Sequence, residues 1–345
     1  MEGEGVLMLL LCNYYLTYKC NASCGFCGFS KHDEFSGSGQ AKIEDVKNNL
    51  AQLAKLGVKF VDFTGGEPLL YKEITEAVSF ARSLNLQTSI TTNALLYKQY
   101  AEKIAGKINL LHFSLDSPEK EEHDRLRGTP CFDKVMESID IAKSLNEFPD
   151  ILFTVTDGTY QKLPQMHRLA SSKGLVLIVN PVFSYFGNPG LSGRAIDFIE
   201  AYIKGKSDIY INPAFLTLRK NGGNNTLKPD CKAVSRVVVI SPDNEILLPC
   251  YHFANEKIPI ERPIREIRKS EAVTRAKQME GRYDFCSGCE INCYFEPSFA
   301  FPFNYYSVIS ITSKLRYGYQ KLVKQKIEKR KQQSIQEKNE KQKHL

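Results

Sequence analysis

The chain has 345 residues, 42% hydrophobic and 25% charged, which is the balance of a folded globular protein with room for one large core and a smaller second one. No uninterrupted apolar run reaches the roughly 18 residues of a membrane span, and no charged-then-apolar leader with a small-residue cleavage site marks secretion. The net charge of +7 belongs to one end: residues 313–345 hold eleven Lys or Arg and three Glu, a sum of +8, so the 312 residues before them sum to −1.

In chain order, residues 6–18 read as a first strand, with the apolar run Val6–Leu11 as its lead-in. A cysteine loop follows and continues through a polar Gly/Ser stretch at 36–39. Ile43, Val46, Leu50 and Leu53 fall at helical spacing, and Gly57 closes that helix. Strand Lys59–Phe63 comes next, then helix Lys72–Ser83, strand Gln87–Thr91 and helix Tyr97–Ala105. Strand Asn109–Leu115 precedes helices starting at Pro118 and Phe132. Strand Ile151–Val155, helix Gln161–Ser172 and strand Leu175–Val179 complete about six β–α repeats of roughly 25–35 residues. Such alternation predicts a parallel sheet wrapped by helices, with ligands bound at the carboxyl ends of the strands.

The cysteines carry the chemistry. Cys20, Cys24 and Cys27 form a C-x3-C-x2-C run, and three thiolates so spaced can hold three irons of a 4Fe–4S cluster. The fourth iron then has no cysteine within the motif. A structural zinc site normally closes with four ligands, yet no further cysteine follows until Cys131, and His32 is the only nearby histidine. Cys12 and Cys131 stand alone and read as small buried hydrophobes. Ten reduced cysteines imply a cytoplasmic, oxygen-sensitive protein. Further along, Val61–Phe63 runs into Thr64-Gly65-Gly66-Glu67-Pro68. By itself this reads as a Gly-Gly turn with a helix-starting proline; glycines at a strand end also let a ligand approach the backbone closely. Strands also end at Thr92-Asn93 and at Ser114-Leu115-Asp116.

Five more cysteines come late. Cys231 and Cys250 flank a predicted hairpin over 236–248 that turns at Pro242–Asn244, and Cys286, Cys289 and Cys293 lie within eight residues. Five sulfurs cannot fully ligate two cubane clusters, so one auxiliary cluster is expected, with four cysteines or with three and an open iron. Zinc is the alternative metal. An aromatic stretch, Phe299, Phe301, Phe303, Tyr305 and Tyr306, leads into Val308, Ile311, Leu315, Tyr319 and Leu322, one apolar stripe at helical spacing with Lys and Arg on the other face. Beyond Lys329 the composition predicts disorder. The helix reads equally as one that lies on an anionic membrane surface or as one that packs on the body with a solvated basic end. Nucleic acid ranks below both, since no reading module is visible.

The cysteine triplet, Phe26 just before its third member, and the Gly65–Pro68 segment together resemble the radical SAM superfamily. That resemblance implies an α/β fold, a partial (β/α)6 barrel with a small Cys-rich extension and a basic amphipathic helical tail. It implies that the open iron chelates S-adenosylmethionine and that Gly65, Gly66, Glu67 and Pro68 receive its methionine amino group. Asn93, Ser114 and Asp116 would reach the ribose and methionine carboxylate, and Asn180 would approach the adenine. His123-Asp-Arg-Leu-Arg-Gly128 resembles the D-x-x-R-G stretch that follows the fourth strand in this family. The late cysteines resemble SPASM and twitch extensions, and Cys286–Pro297 is locally similar to hopanoid-modifying members. The implied organisation is a core at 6–185, an auxiliary cluster domain at 186–298 and a tail at 299–345. The implied activity, an oxidoreductase or transferase, is reductive cleavage of S-adenosylmethionine to a 5′-deoxyadenosyl radical, with flavodoxin or ferredoxin as electron donor. The substrate would be a lipid, an isoprenoid-like molecule or another small molecule, or else a ribosomally made peptide, with peripheral contact at the inner membrane surface through the tail. From another class, a non-enzymatic iron–sulfur or zinc redox scaffold would have no need of the Gly65–Asp116 features.

Overall fold

A computed structural model describes residues 9–28, 39–185, 187–300 and 304–324. The start of the first predicted strand, the Gly/Ser stretch before Gly39, Phe301, Phe303, the side chain of Leu322 and everything after Lys324 lie outside the described residues.

The predicted alternation forms one sheet. Its strands are β1 (Leu11–Thr17), β2 (Phe60–Gly65), β3 (Gln87–Thr92), β4 (Leu110–Ser114), β5 (Asp150–Val155), β6 (Leu177–Pro181), β7 (Ile209–Tyr210), β8 (Val237–Ile240), β9 (Glu245–Pro249) and β10 (Ala254–Pro259). Their order is β10-β9-β8-β1-β2-β3-β4-β5-β6-β7, so the sheet is open, with β10 and β7 at its edges. From β8 to β7 every pairing is parallel; β9 and β10 add antiparallel strands at one side. Helices such as Ile43–Lys55, Ile74–Ser83 and Phe132–Ser144 cover the sheet through stripes including Val46, Leu50 and Leu53 or Val135, Ile139 and Ala142. This is the partial-barrel α/β architecture expected from the repeat.

Three elements differ from the sequence reading. Residues 186–230 contain helices Gly193–Ile203 and Pro213–Lys220 and the two-residue strand β7. The late hairpin forms, but β8 also pairs with β1, Leu11 opposite Val237 through Tyr14 opposite Ile240, so it extends the main sheet. β10 was missed because Ala254–Pro259 has no apolar run and alternates half-buried and exposed side chains, as an edge strand does.

A second, aromatic-rich core joins the end of β1 to the late segment through Tyr15, Tyr18, Phe215, Tyr251, Tyr294, Phe295 and Phe299. Tyr15 and Tyr251 stack with centroids 4.1 Å apart, and the Tyr294 hydroxyl accepts from the Tyr251 amide at 2.7 Å. The auxiliary segment therefore rests on the carboxyl end of β1, beside the first cysteine loop.

The C-terminal helix Tyr305–Tyr319, capped by Asn304, continues as a π-helical turn over Gln320–Lys324. It docks through ring contacts of Tyr306 with Phe299 and Tyr317 with Tyr210, and through polar groups. Lys321 pairs with the fully buried Asp150 at 3.0 Å, and Tyr317 donates to the same carboxylate at 2.6 Å. Burial alone would raise the Asp150 carboxyl, but Lys321, with His112 and Tyr317, holds it below the usual carboxylate range. Lys321→Met strips the main counter-charge from a buried anion and is expected to cost about 3 kcal/mol or more, read from urea unfolding.

Candidate active site

The first cysteine loop leaves the end of β1 and is held by backbone. The Ser23 amide donates to Arg127 O at 3.0 Å and the Gly25 amide to Leu126 O at 3.1 Å. Arg127 and Gly128 end helix Lys120–Arg127, with Gly128 in the left-handed region at φ 63°. A Cβ at Gly128 would come within 2.3 Å of Ser23 Oγ and 2.6 Å of Ser23 O, so only glycine fits where helix and loop meet.

On the other side the loop meets the Gly65–Pro68 turn. The Gly66 amide donates to Thr17 O and the Glu67 amide to Lys19 O, each at 2.9 Å. A Cβ on Gly65, whose φ is 140°, would lie 2.0 Å from Thr17 O. The close approach that these glycines permit is that of one chain segment to another. Pro68 then opens a short 3₁₀ turn, Pro68–Leu70.

Glu67 is buried, and both its oxygens are used. Oε1 accepts from Thr92 Oγ1 at 2.7 Å and the Leu69 amide at 3.0 Å; Oε2 accepts from the Asn93 amide at 2.9 Å. The Asn93 side chain donates to Asn21 Oδ1 at 2.8 Å and so ties the end of β3 to the cysteine loop. Ser114 is buried at the end of β4. Asp116 accepts from the Thr154 amide at 2.9 Å and pairs with Arg127 Nε at 2.7 Å. Asn180, on β6, accepts from Asn292 Nδ2 at 3.0 Å, which brings the segment containing Cys293 to the same mouth.

Arg127, the arginine of the D-x-x-R-G stretch, connects these parts, a role the sequence reading had not given it. Its Nη1 donates to Cys24 Sγ at 3.6 Å, and its guanidinium lies 5.5 Å from the centre of the Phe26 ring. Burial pushes the Glu67 and Asp116 carboxyls up, and Arg127 opposes that push in both. Its Nη2 is buried with no hydrogen-bond partner among the described residues. A buried donor without a partner is costly, so this one suits an anionic or sulfur-bearing group bound at the loop.

Beside it, His123 Nδ1 accepts from the Asp116 amide at 3.1 Å, and its Nε2 lies 3.2 Å from Cys131 Sγ. Asp124 Oδ1 accepts from the Cys131 and Phe132 amides, both at 2.8 Å. Imidazole, thiol and carboxylate are close together, and each already has a partner within the fold. Cys12 is fully buried, as expected of a small hydrophobe.

The late cysteines also converge. Cys231 lies within electrostatic reach of Cys289 and Cys250, Cys250 of Cys289 and Cys286, and Cys293 of Cys250 and Cys289. A second buried arginine holds their loop. Arg219 donates to Asn292 Oδ1 at 3.0 Å and Glu290 O at 3.1 Å and pairs with Glu290 at 3.4 Å. The loop at Asn221–Asn225 is a clamp on the C-x2-C segment: the Asn224 amide donates to Cys289 O, and Gly288 donates back to Asn224 O.

All ten cysteines are free thiols. Burial, reinforced by neighbouring Glu67, Cys24 and Cys27, pushes Cys20 up to about 12. Burial likewise pushes Cys250 up to about 12 and Cys289 to about 11, and raises Cys231, Cys286 and Cys293. Thiols so placed stay neutral by themselves; as ligands of an iron–sulfur or zinc site they would need the metal's charge to ionise.

Residues 14–170 match the family model described as the Radical SAM superfamily. Over this stretch, a little under half of the chain, the sequence is similar to the radical SAM superfamily. An uncharacterised protein of Archaeoglobus fulgidus is 35% identical over 170 residues, covering 48% of this chain and 40% of that protein. A probable GTP 3′,8-cyclase of Pyrococcus abyssi is 30% identical over 132 residues, 38% of this chain and 42% of that one. The match thus spans less than half of either relative's length. Among solved structures, anSMEcpe with bound AdoMet aligns with a TM-score of 0.63 at 18% identity, covering 92% of this chain and 94% of that one; this shows the fold. The strand-end residues read from the sequence lie on the carboxyl side of the sheet. Arg127 was visible in the sequence as the arginine of D-x-x-R-G, but not as a buried partner of Asp116 and Cys24.

Arg127→Gln leaves Asp116 buried without its charge partner and is expected to destabilise the protein by about 3–5 kcal/mol. Iron analysis after anaerobic reconstitution should show loss at the Cys20/Cys24/Cys27 site, with the late site retained. A second outcome concerns pH. Burial holds the His123 imidazole down at about 3, against an ordinary value of 6.5, and Arg127 adds to that. Below pH 6.5 the unfolded chain takes up a proton that the folded His123 refuses, so stability falls by about 1.4 kcal/mol per pH unit through this group. Urea unfolding at pH 7 and pH 5 should differ by about 2 kcal/mol less in His123→Gln than in the parent.

Proposed function

We propose that this chain is a radical enzyme that cleaves S-adenosylmethionine at one metal site, carries a second, and modifies an unactivated carbon of an apolar, lipid- or isoprenoid-like molecule. The observation that carries the reading is the placement of Arg127 against Cys24, Phe26 and Asp116, within electrostatic reach of Glu67. Residues drawn from two strand ends and the cysteine loop thus meet around one buried charge. A redox scaffold would have no need of that convergence.

Cys20, Cys24 and Cys27 would hold a 4Fe–4S cluster. Bound there, it would supply the electron for reductive cleavage of S-adenosylmethionine to methionine and a 5′-deoxyadenosyl radical. The chain's own work is positioning. Gly65–Pro68, Asn93, Ser114 and Asn180 present backbone and polar groups at the strand ends where the substrate amino acid, ribose and adenine would lie. Arg127 fixes the loop and offers its unpartnered Nη2. Four of Cys231, Cys250, Cys286, Cys289 and Cys293 would hold an auxiliary cluster, with zinc as the alternative. Flavodoxin or ferredoxin fits as electron donor. The working division is a core at 6–185, an auxiliary segment at 186–298 and a tail at 299–345.

A ladder of aromatic rings supports the apolar substrate. Tyr185, just past β6, stands edge-on to His252 with centroids 4.5 Å apart and lies 5.7 Å from Phe253. Phe253 stacks on Phe285 at 4.5 Å, and Phe285 on Tyr283 at 4.9 Å. These half-buried rings run from the late cysteines toward the first loop, where the Asn188 side chain donates to Phe26 O at 2.9 Å. Such a wall offers ring faces and few charges to an apolar group.

The test is 5′-deoxyadenosine production by protein reconstituted without oxygen and given S-adenosylmethionine and a strong reductant. Cys24→Ala should reduce it to background, whereas Cys286→Ala should retain uncoupled cleavage and lose the iron of the late site. Unchanged production in Cys24→Ala would defeat the proposal.

A further inference from the structure

The C-terminal helix turns most of its apolar side chains outward. The side that faces the body packs Tyr306 on Phe299 and half-buries Ile309, and otherwise presents Ser307, Ser310, Lys314, Tyr317 and Lys321. They are held by polar contacts: Ser310 Oγ donates to Asn212 Oδ1 at 2.8 Å, and Lys314 pairs with Glu296 at 2.9 Å. The outward face carries Tyr305, Val308, Ile311, Leu315, Tyr319 and Val323, between 42% and 70% exposed. These positions recur every three or four residues, so they form one continuous stripe along the outside of the molecule. A helix that only packed on the body would bury this stripe and expose its serines and lysines. An exposed apolar stripe of this length marks a surface that meets something else.

Charge identifies that partner. Next to the stripe lies a recess of about 250 Å³ lined by Lys204, Lys206, Arg316, Thr312 and Ser313 over an apolar floor that includes Ile209, and none of its lining residues is acidic. Arg316 Nη1 donates to Lys206 O at 3.0 Å, which joins the recess to the helix. The sequence after the π-helical turn, residues 325–345, holds seven Lys or Arg and three Glu, a net +4. A convex apolar ridge flanked by cations and hydroxyls matches the boundary of a bilayer, where acyl chains lie beneath anionic headgroups. A protein partner would need a groove cut to this ridge and an acidic rim; a membrane needs neither.

We propose that the outward face of helix Tyr305–Tyr319 and its turn to Lys324 docks on an anionic lipid surface, with the Lys204–Lys206–Arg316 recess receiving a phosphate-bearing headgroup. The face is pinned in place by the Asp150 and Asn212 contacts, so docking holds the barrel in a fixed orientation to the bilayer. The site is separate from the cysteine loops, and its test does not depend on S-adenosylmethionine cleavage.

The experiment is vesicle flotation of the full-length, anaerobically reconstituted protein, using phosphatidylcholine alone and phosphatidylcholine mixed with phosphatidylglycerol. The protein should float with the anionic vesicles and remain behind with the neutral ones. Leu315→Glu combined with Tyr319→Glu should lower partitioning on the order of tenfold or more. Lys204→Glu combined with Lys206→Glu should weaken it and flatten its dependence on lipid charge. All four positions are at the surface or beside it, and unchanged circular dichroism and iron content would show that the variants fold. Failure to float with anionic vesicles would overturn the proposal, as would flotation that ignores the stripe variants. So would a self-associated species, seen by analytical ultracentrifugation, that the stripe variants dissolve, since it would assign the ridge to a protein contact.

Discussion

Arg127 has to be buried and charged at once, and the arrangement of the N-terminal site follows from how that charge is met. Asp116 neutralises it from the end of β4. Cys24 and Phe26 take its remaining contacts from the cysteine loop, and Glu67 lies within its field. An isolated guanidinium in such a position would be expelled or would draw in water. The strand ends, the loop and the helix that carries Arg127 therefore hold one another in register. Gly128 makes the same junction steric: no side chain fits between the end of that helix and Ser23.

The late site repeats the device with different parts. Arg219 is buried against Glu290 and Asn292 and fixes the loop bearing Cys286, Cys289 and Cys293. Asn292 passes the constraint on to Asn180 at the barrel mouth, and the Tyr15–Tyr251 stack ties the same segment to β1. Two sulfur-rich loops are thus each secured by a buried arginine. Rigid elements beneath a site hold its side chains in one geometry.

What could be read from the sequence was local and periodic. The helical stripe Val46, Leu50, Leu53, the β–α alternation and the strand ends at Gly65, Thr92 and Ser114 all depend on near neighbours, and the structure contains them within a residue or two. What escaped was set by distant partners. The pairing of β8 with β1 joins positions more than two hundred residues apart. β10 has no apolar run, because an edge strand needs none. The D-x-x-R-G stretch marks Arg127 over Arg125, but only the fold shows that it is buried against Asp116 and Cys24. The apolar stripe of the C-terminal helix was legible as a stripe, but its outward direction depends on Asp150, Asn212 and Glu296, and no spacing rule reveals those partners.

The most direct test of the account is an S-adenosylmethionine binding titration of the anaerobically reconstituted protein, run as a double-mutant cycle on Asp116→Asn and Arg127→Lys. If the two residues act as one unit that positions the cysteine loop, each single change should weaken binding and the pair should weaken it little further, a coupling of about 1 kcal/mol or more. Strictly additive losses, or binding indifferent to both changes at full iron content, would contradict the claim that the site is organised around Arg127.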